Sequence, residues 1–142
     1  MENEDSVLSQ EKHKVCSRCK IESPINNYTV RQDARKPYIR GVCKNCYNTR
    51  TRENWRKLRG EIFNYYGWSC KCCGETIKEF LSLDHINNDG YKDRNPGGSK
   101  KSGKELYLLV KRNGFPDTFQ TLCMNCNWGK KLGNGKCPHE SK

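Results

Sequence analysis

Eight of the ten cysteines in this 142-residue chain fall into four C-x-x-C pairs: Cys16 and Cys19, Cys43 and Cys46, Cys70 and Cys73, Cys123 and Cys126. Two residues between thiols let a tight turn aim both sulfurs at one tetrahedral ion, and two such turns complete a four-cysteine shell. In chain order, the first two pairs predict one structural zinc site and the last two a second. A disulfide framework does not suit a chain without secretory features, and redox chemistry does not explain four copies. Cys72 and Cys137 are left over. Cys72 lies inside the third pair, where it could compete for the metal, but its plainer reading is a bystander thiol. Cys137-Pro138-His139 has the form of half a ligand set, yet it sits in a Gly- and Lys-rich tail and is expected to bind nothing. A further chemical signal is Asp84-His85. Imidazole, with an ordinary pKa of about 6.5, can take a proton from water at neutral pH. An isolated Asp-His pair at a strand end, however, is more often a satisfied imidazole.

These side chains need elements to hold them, and only 33% of the residues are hydrophobic. The length suits one domain or two small ones, since a domain usually takes roughly 100 to 150 residues. With so few apolar residues, bound zinc must supply much of the folding energy. From Cys46 to Tyr66 the spacing predicts a long helix, with Trp55, Leu58, Ile62 and Tyr65 or Tyr66 on one stripe and Gly67 as its end. Phe80 to Leu83 alternates like a strand and leads into Asp84-His85-Ile86. Asn87 to Gly90 reads as a turn and Asn95 to Gly103 as a mobile loop. Ser102 and Glu105 form a capping box that opens a helix through Leu106, Leu109 and Val110, closed by Gly114 with Pro116 beyond. Phe119 to Leu122 reads as a second strand and Cys126 to Lys131 as the start of a helix.

Charge narrows the choice of partner. The chain carries 27 Lys and Arg against 16 Asp and Glu, a formal +11. Residues 1 to 15 hold two basic and four acidic residues; residues 16 to 66 hold twelve basic against four acidic. Residues 67 to 122 hold nine against seven, and 123 to 142 four against one. No apolar run approaches the roughly 20 residues that span a bilayer, and Met1 to Glu11 is unlike a signal or transit peptide. A soluble, cytoplasmic protein with a polyanionic partner is expected, nucleic acid rather than a membrane surface. Arg50, Arg52, Arg56, Lys57 and Arg59 stand in the predicted helix with Glu53 as the sole acid between 50 and 60. Each alone reads as a solvated charge. As a set they predict phosphate contacts, which position a protein on DNA without reading its sequence. Lys130 and Lys131 read as further phosphate contacts. Tyr91, Lys92 and Arg94 could also touch DNA.

Three separated elements occur in order between about residues 67 and 133: Cys70-x-x-Cys73, then Leu83-Asp84-His85-Ile86, then Leu122-Cys123-Met124-Asn125-Cys126-Asn127-Trp128-Gly129-Lys130-Lys131. Together they resemble the HNH endonuclease family in its zinc-knuckle form, as in free-standing phage and bacterial proteins. The resemblance implies a small α+β, zinc-stabilised fold: a ββα-metal, treble-clef-like core over 67–133. Before it would lie a zinc-knuckle module and basic helix over 14–66. A disordered acidic segment (1–13) and a flexible tail (134–142) would flank these. It also implies roles. Asp84 would ligate a catalytic Mg²⁺ or Mn²⁺, His85 would be the general base, and Asn127 the second protein ligand. The middle Asn of the family pattern is here Thr118, so its hydroxyl, or the Gln120 amide, would have to help fix His85. The segments Lys14 to Lys20 and Gly41 to Cys46 resemble, more loosely, zinc-knuckle segments that precede such cores.

A hard cation held by a carboxylate and an amide oxygen suits phosphodiester chemistry better than zinc, which prefers nitrogen and sulfur. The expectation is therefore a metal-dependent DNA endonuclease with two structural zinc ions, leaving 5′-phosphate and 3′-hydroxyl ends. It would nick as a monomer or cut both strands as a homodimer. The alternative is a zinc-stabilised DNA-binding or regulatory protein with a degenerate HNH site. A zinc module built only for protein contacts fits the +11 charge poorly.

Overall fold

The computed structural model describes residues 12–32 and 35–141, so nearly all of the acidic N-terminus lies outside it. The chain forms two units, Met1–Asn54 and Trp55–Lys142, built as expected from short antiparallel strand pairs and helices.

In the first unit, β1 (His13–Val15) pairs with β2 (Glu22–Pro24), and β3 (Tyr28–Arg31) with β4 (Tyr38–Cys43). Between β1 and β2 the chain turns tightly at Cys16–Lys20: Lys20 adopts a left-handed φ of 62° and donates its N–H to the Cys16 carbonyl at 2.9 Å. Tyr28 is buried, and its hydroxyl donates to the Lys14 carbonyl at 2.7 Å, which ties β3 to β1. Helix α1 (Lys44–Tyr66) starts directly after β4.

The second unit takes in the C-terminal part of α1, from Trp55 onward. The reason is the apolar stripe. Leu58, Ile62, Phe63 and Tyr66 are buried together with Leu81, Tyr107, Val110, Phe119 and Leu122. Tyr66, not the exposed Tyr65, completes that stripe. Gly67 ends the helix with a φ of 95°, open to glycine and costly for other residues. Strand β5 (Leu81–His85) then pairs with β6 (Phe119–Cys123), setting Leu81 opposite Cys123, Asp84 opposite Gln120 and His85 opposite Phe119. Between these strands lie the turn after β5, a loop closed by a bridge between Arg94 and Lys100, and α2 (Gly103–Arg112). The capping box is in place. Ser102 Oγ accepts from the Glu105 N–H at 3.3 Å, and the Glu105 carboxylate accepts from the Ser102 N–H at 2.7 Å. Helix α2 turns Tyr107 and Val110 into the core, where Tyr107 stacks on Trp55 at 5.1 Å.

Helix α3 (Met124–Leu132) begins earlier than the expected Cys126, because Cys123 acts as its N-cap with Sγ accepting from the Cys126 N–H at 3.4 Å. One local pattern thus occurs in both units. A strand ends on the first cysteine of a pair (Cys43, Cys123), and the helix that follows at once carries the second (Cys46, Cys126) in its first turn. The segment expected to be a flexible tail folds back instead: Pro138–Ser141 forms a 3-10 turn against α3, and Cys137 is buried. Among the described residues, no helix is long and apolar enough to cross a membrane.

Candidate functional site

The four C-x-x-C pairs group as their order predicts. The sulfurs of Cys16, Cys19, Cys43 and Cys46 lie within 4.8 Å of one another, and so do those of Cys70, Cys73, Cys123 and Cys126. Both groups are geometrically suited to zinc. Backbone donors prepare one thiol in each for the deprotonated state that metal binding requires. The N–H groups of Cys43, at 3.4 Å, and of Cys19 bring Cys16 down to about 6. Burial opposes ionisation of Cys70, but N–H donors from Cys73, Cys123 and Cys72 outweigh it and bring this thiol down to about 7. Burial pushes Cys46 up to about 12 and Cys126 higher still, and neighbouring thiols add to both shifts. Cys72 and Cys137 are not bystanders in position. With Cys126 and His139 they form a third group whose ligand atoms also lie within 4.8 Å of one another.

Beside the second group opens a cleft of about 640 Å³, and Asp84, His85 and Asn127 all line it. The strand pair and α3 account for this meeting. Asp84 and His85 end β5, and Asn127 follows the last paired cysteine on α3. Asp84 is 8% exposed, and its Oδ2 accepts from Lys130 Nζ at 2.7 Å and from Gln120 Nε2 at 2.9 Å. Gln120 is therefore a partner of Asp84, not of the histidine. Asn127 donates from Nδ2 to Ser82 Oγ at 3.0 Å, and Ser82 donates in turn to the Leu122 carbonyl at 3.0 Å. This leaves the amide oxygen of Asn127 and Oδ1 of Asp84 outside these bonds.

His85 takes its orientation from a residue that sequence reasoning missed. Its Nε2 lies 2.7 Å from Asp93 Oδ2, and its ring packs on Phe119 with centroids 4.5 Å apart. With Asp93 accepting at Nε2, the neutral ring keeps its lone pair at Nδ1. On that side stands Gly90, where a Cβ would come within 3.0 Å of Nδ1. Thr118, expected to share in fixing the base, is exposed and contributes its carbonyl, which accepts from the Ile86 N–H at 2.9 Å.

The expected DNA-binding cations divide into two kinds. Arg50, Arg52, Arg56, Lys57 and Lys131 are exposed. Arg59 and Lys130 are not placed as expected. The Arg59 guanidinium lies over the Phe63 ring at 4.4 Å and donates to Tyr107 Oη at 3.3 Å and to the carbonyls of Leu81, at 3.1 Å, and Lys78. Lys130 is 5% exposed, and its three N–H bonds go to Asp84 Oδ2, His85 O at 2.7 Å and Ile86 O at 2.9 Å. A buried ammonium with every donor engaged anchors the turn after β5 instead of meeting a phosphate. The cleft has its own cations in Arg94, Lys100, Lys101 and Lys131. Lys131 lies 4.6 Å above the ring of Trp128, which is itself exposed. Comparison with protein-family models, with curated proteins and with solved structures gives no match.

Proposed function

We propose that this chain is a metal-dependent DNA endonuclease of the HNH type, held together by zinc in its two four-cysteine groups. The observation that carries the reading is the meeting of Asp84, His85 and Asn127 at one cleft rimmed by Arg94, Lys100, Lys101 and Lys131. The antiparallel pairing of β5 with β6 and the start of α3 directly after β6 support this reading, since a ββα-metal core calls for two paired strands and a following helix.

The cleft suits a hard divalent cation. It offers the carboxylate of Asp84 and the amide oxygen of Asn127, the Asp93 carboxylate being engaged by His85, and among the described residues Asp84 belongs to no cluster of three or more His, Cys, Asp or Glu side chains. A donor set this small favours Mg²⁺ or Mn²⁺, which keep most of their waters. Asp84 and Asn127 would hold the ion, which when bound would offset negative charge on the phosphate oxygens. The protein's own groups do the rest. His85 takes a proton from the attacking water at Nδ1, while Asp93 accepts Nε2–H and stabilises the imidazolium that results. Lys131 and Arg94 attract the phosphodiester, and Lys130 fixes the carboxylate of Asp84 and the turn behind His85.

Supercoiled plasmid incubated with the full chain and Mg²⁺ or Mn²⁺ is expected to be nicked. His85→Ala should lower the rate by about 10² to 10⁴. No nicking by folded, zinc-loaded wild type with either metal overturns the proposal, and undiminished nicking by His85→Ala removes the assigned base. The ion pair between Lys130 and Asp84 favours a second reading, a DNA-binding protein with a degenerate site, because it already offsets the charge a cation would seek. That protein would bind the plasmid and leave it intact.

A further inference from the structure

The third ligand group shares one residue with the second: Cys126 belongs both to the set with Cys70, Cys73 and Cys123 and to the set with Cys72, Cys137 and His139. Their spacings match coordination geometry. With Zn–S of about 2.3 Å and Zn–N of about 2.0 to 2.1 Å, a tetrahedron has S···S edges of about 3.8 Å and S···N edges of about 3.6 Å. Cys73 Sγ and Cys123 Sγ are 3.6 Å apart, and His139 Nδ1 is 3.4 Å from Cys126 Sγ and 3.7 Å from Cys137 Sγ.

The chain makes room for this approach. A Cβ on Gly129 would come within 2.9 Å of Pro138 Cδ and 3.7 Å of Cys137 Sγ, and one on Gly133 would overlap the Lys136 carbonyl oxygen. Glycine at both positions lets the segment after α3 fold back onto it. Buried cysteines also pack as small apolar groups, but packing does not account for His139. This side chain is exposed, yet its Nδ1 is turned toward two buried thiols.

We infer that Cys126 bridges two zinc ions, one completed by Cys70, Cys73 and Cys123 and the other by Cys72, Cys137 and His139. The second unit then holds a dinuclear centre, and the whole chain holds three zinc ions. Six thiolates and two divalent ions give the centre a formal charge of about −2, which suits a strongly basic chain. The second ion staples the segment after α3, whose Asn134 and Gly135 line the cleft and whose Gly135 backbone lies against Asn88. It therefore fixes one wall of the site without touching the reacting groups.

Native mass spectrometry of the full chain reconstituted with zinc should count three ions for wild type and two for Cys137→Ser/His139→Ala. A count of two for wild type overturns the inference while leaving the two four-cysteine sites standing. A count of three for the double variant overturns it as well, since the third ion then lies elsewhere. Cadmium-113 substitution of wild type tests the bridge independently of any variant's folding. The Cys126 Hβ protons should correlate with two cadmium resonances, and correlation with one alone overturns the bridge.

Discussion

Asp93 is placed to decide which nitrogen of His85 carries the proton, and a residue in that position is tested by changing its charge without its shape. Asp93→Asn should slow single-turnover nicking about 10-fold and Asp93→Ala about 100-fold, with DNA affinity unchanged in both. Lys130 raises a different question, because its partner would stay behind. Lys130→Met leaves the nearly buried Asp84 carboxylate without its cation, strips the Ile86 carbonyl of its donor and leaves the His85 carbonyl with the Asn88 N–H alone. Loss of one member of a buried pair usually costs about 3 to 5 kcal/mol. Urea unfolding of zinc-loaded protein should show a loss of that size, and a loss under about 1 kcal/mol would contradict the anchoring role given to Lys130. The sequence did contain a signal for this burial. Lys130 lies one helical turn after the buried Cys126 and shares its face of α3. Arg59 likewise lies one turn before Phe63, on the stripe that packs inward. Asp93 had no such signal, since it sits in a loop where spacing follows no period.

Tyr66 closes α1 against the second unit's core, and its hydroxyl donates to the Pro116 carbonyl at 2.8 Å. Burial pushes its pKa up to about 12, with the nearby Tyr65 and Asp117 adding to the shift. The folded state thus favours the protonated phenol. That contribution is fully present below the ordinary value of about 10 and is lost as pH rises from there toward 12. Wild-type stability should fall between pH 10 and about 12, and Tyr66→Phe should fall less steeply over the same range, as read by urea midpoints at each pH. Elements of this kind were the most legible part of the sequence. The helical stripe, the capping box and the two strands all follow from local periodicity and local hydrogen bonding. The limits of α1's membership were not legible, because which unit buries Leu58 and Ile62 depends on Leu81, Tyr107 and Val110, far along the chain. The tail misled for the same reason. Its Gly-rich composition suggests mobility, whereas Gly129 and Gly133 are what permit close packing.

At the scale of the molecule, two sources of free energy can be varied from outside, metal and salt. A strong zinc chelator should remove the cooperative thermal transition of both units, because in a chain with so few apolar residues the free energy of zinc bound at each four-cysteine group would be folding free energy. Added magnesium should not restore it, since thiolates select zinc. Salt probes the basic excess. Replacing Arg50, Arg52, Arg56 and Lys57 by alanine should flatten the dependence of DNA affinity on log salt, by up to about 0.9 for each phosphate these side chains neutralise. Arg59 is omitted because its donors are engaged within the protein. An unchanged slope would assign the backbone contacts to the cations of the cleft. Cysteine spacing made the four-cysteine groups legible, and composition pointed to a polyanionic partner, which the salt dependence would test. The shared use of Cys126 could not be read from either, because it depends on where Cys137 and His139 come to rest.

Strands β5 and β6 are not joined by a tight turn, for residues 86–118 run between them and include α2. Closing a loop of that size costs entropy before any contact of the strand pair forms, which slows folding. Cys70 and Cys73 precede β5, and Cys123 and Cys126 lie at and just after the end of β6, so capture of one ion by all four thiols would bring β5 and β6 together before their backbone bonds exist. Refolding should then quicken as zinc is raised to stoichiometry. The closure cost also grows only with the logarithm of length, about 0.6 kcal/mol for each doubling. The stretch that carries Asp93, Arg94 and Lys100 can therefore lengthen or be rewritten at little cost to the framework. In this molecule the cleft wall built from residues 86–118 is the part most open to change, while the frame that carries the cysteine groups is the part most constrained.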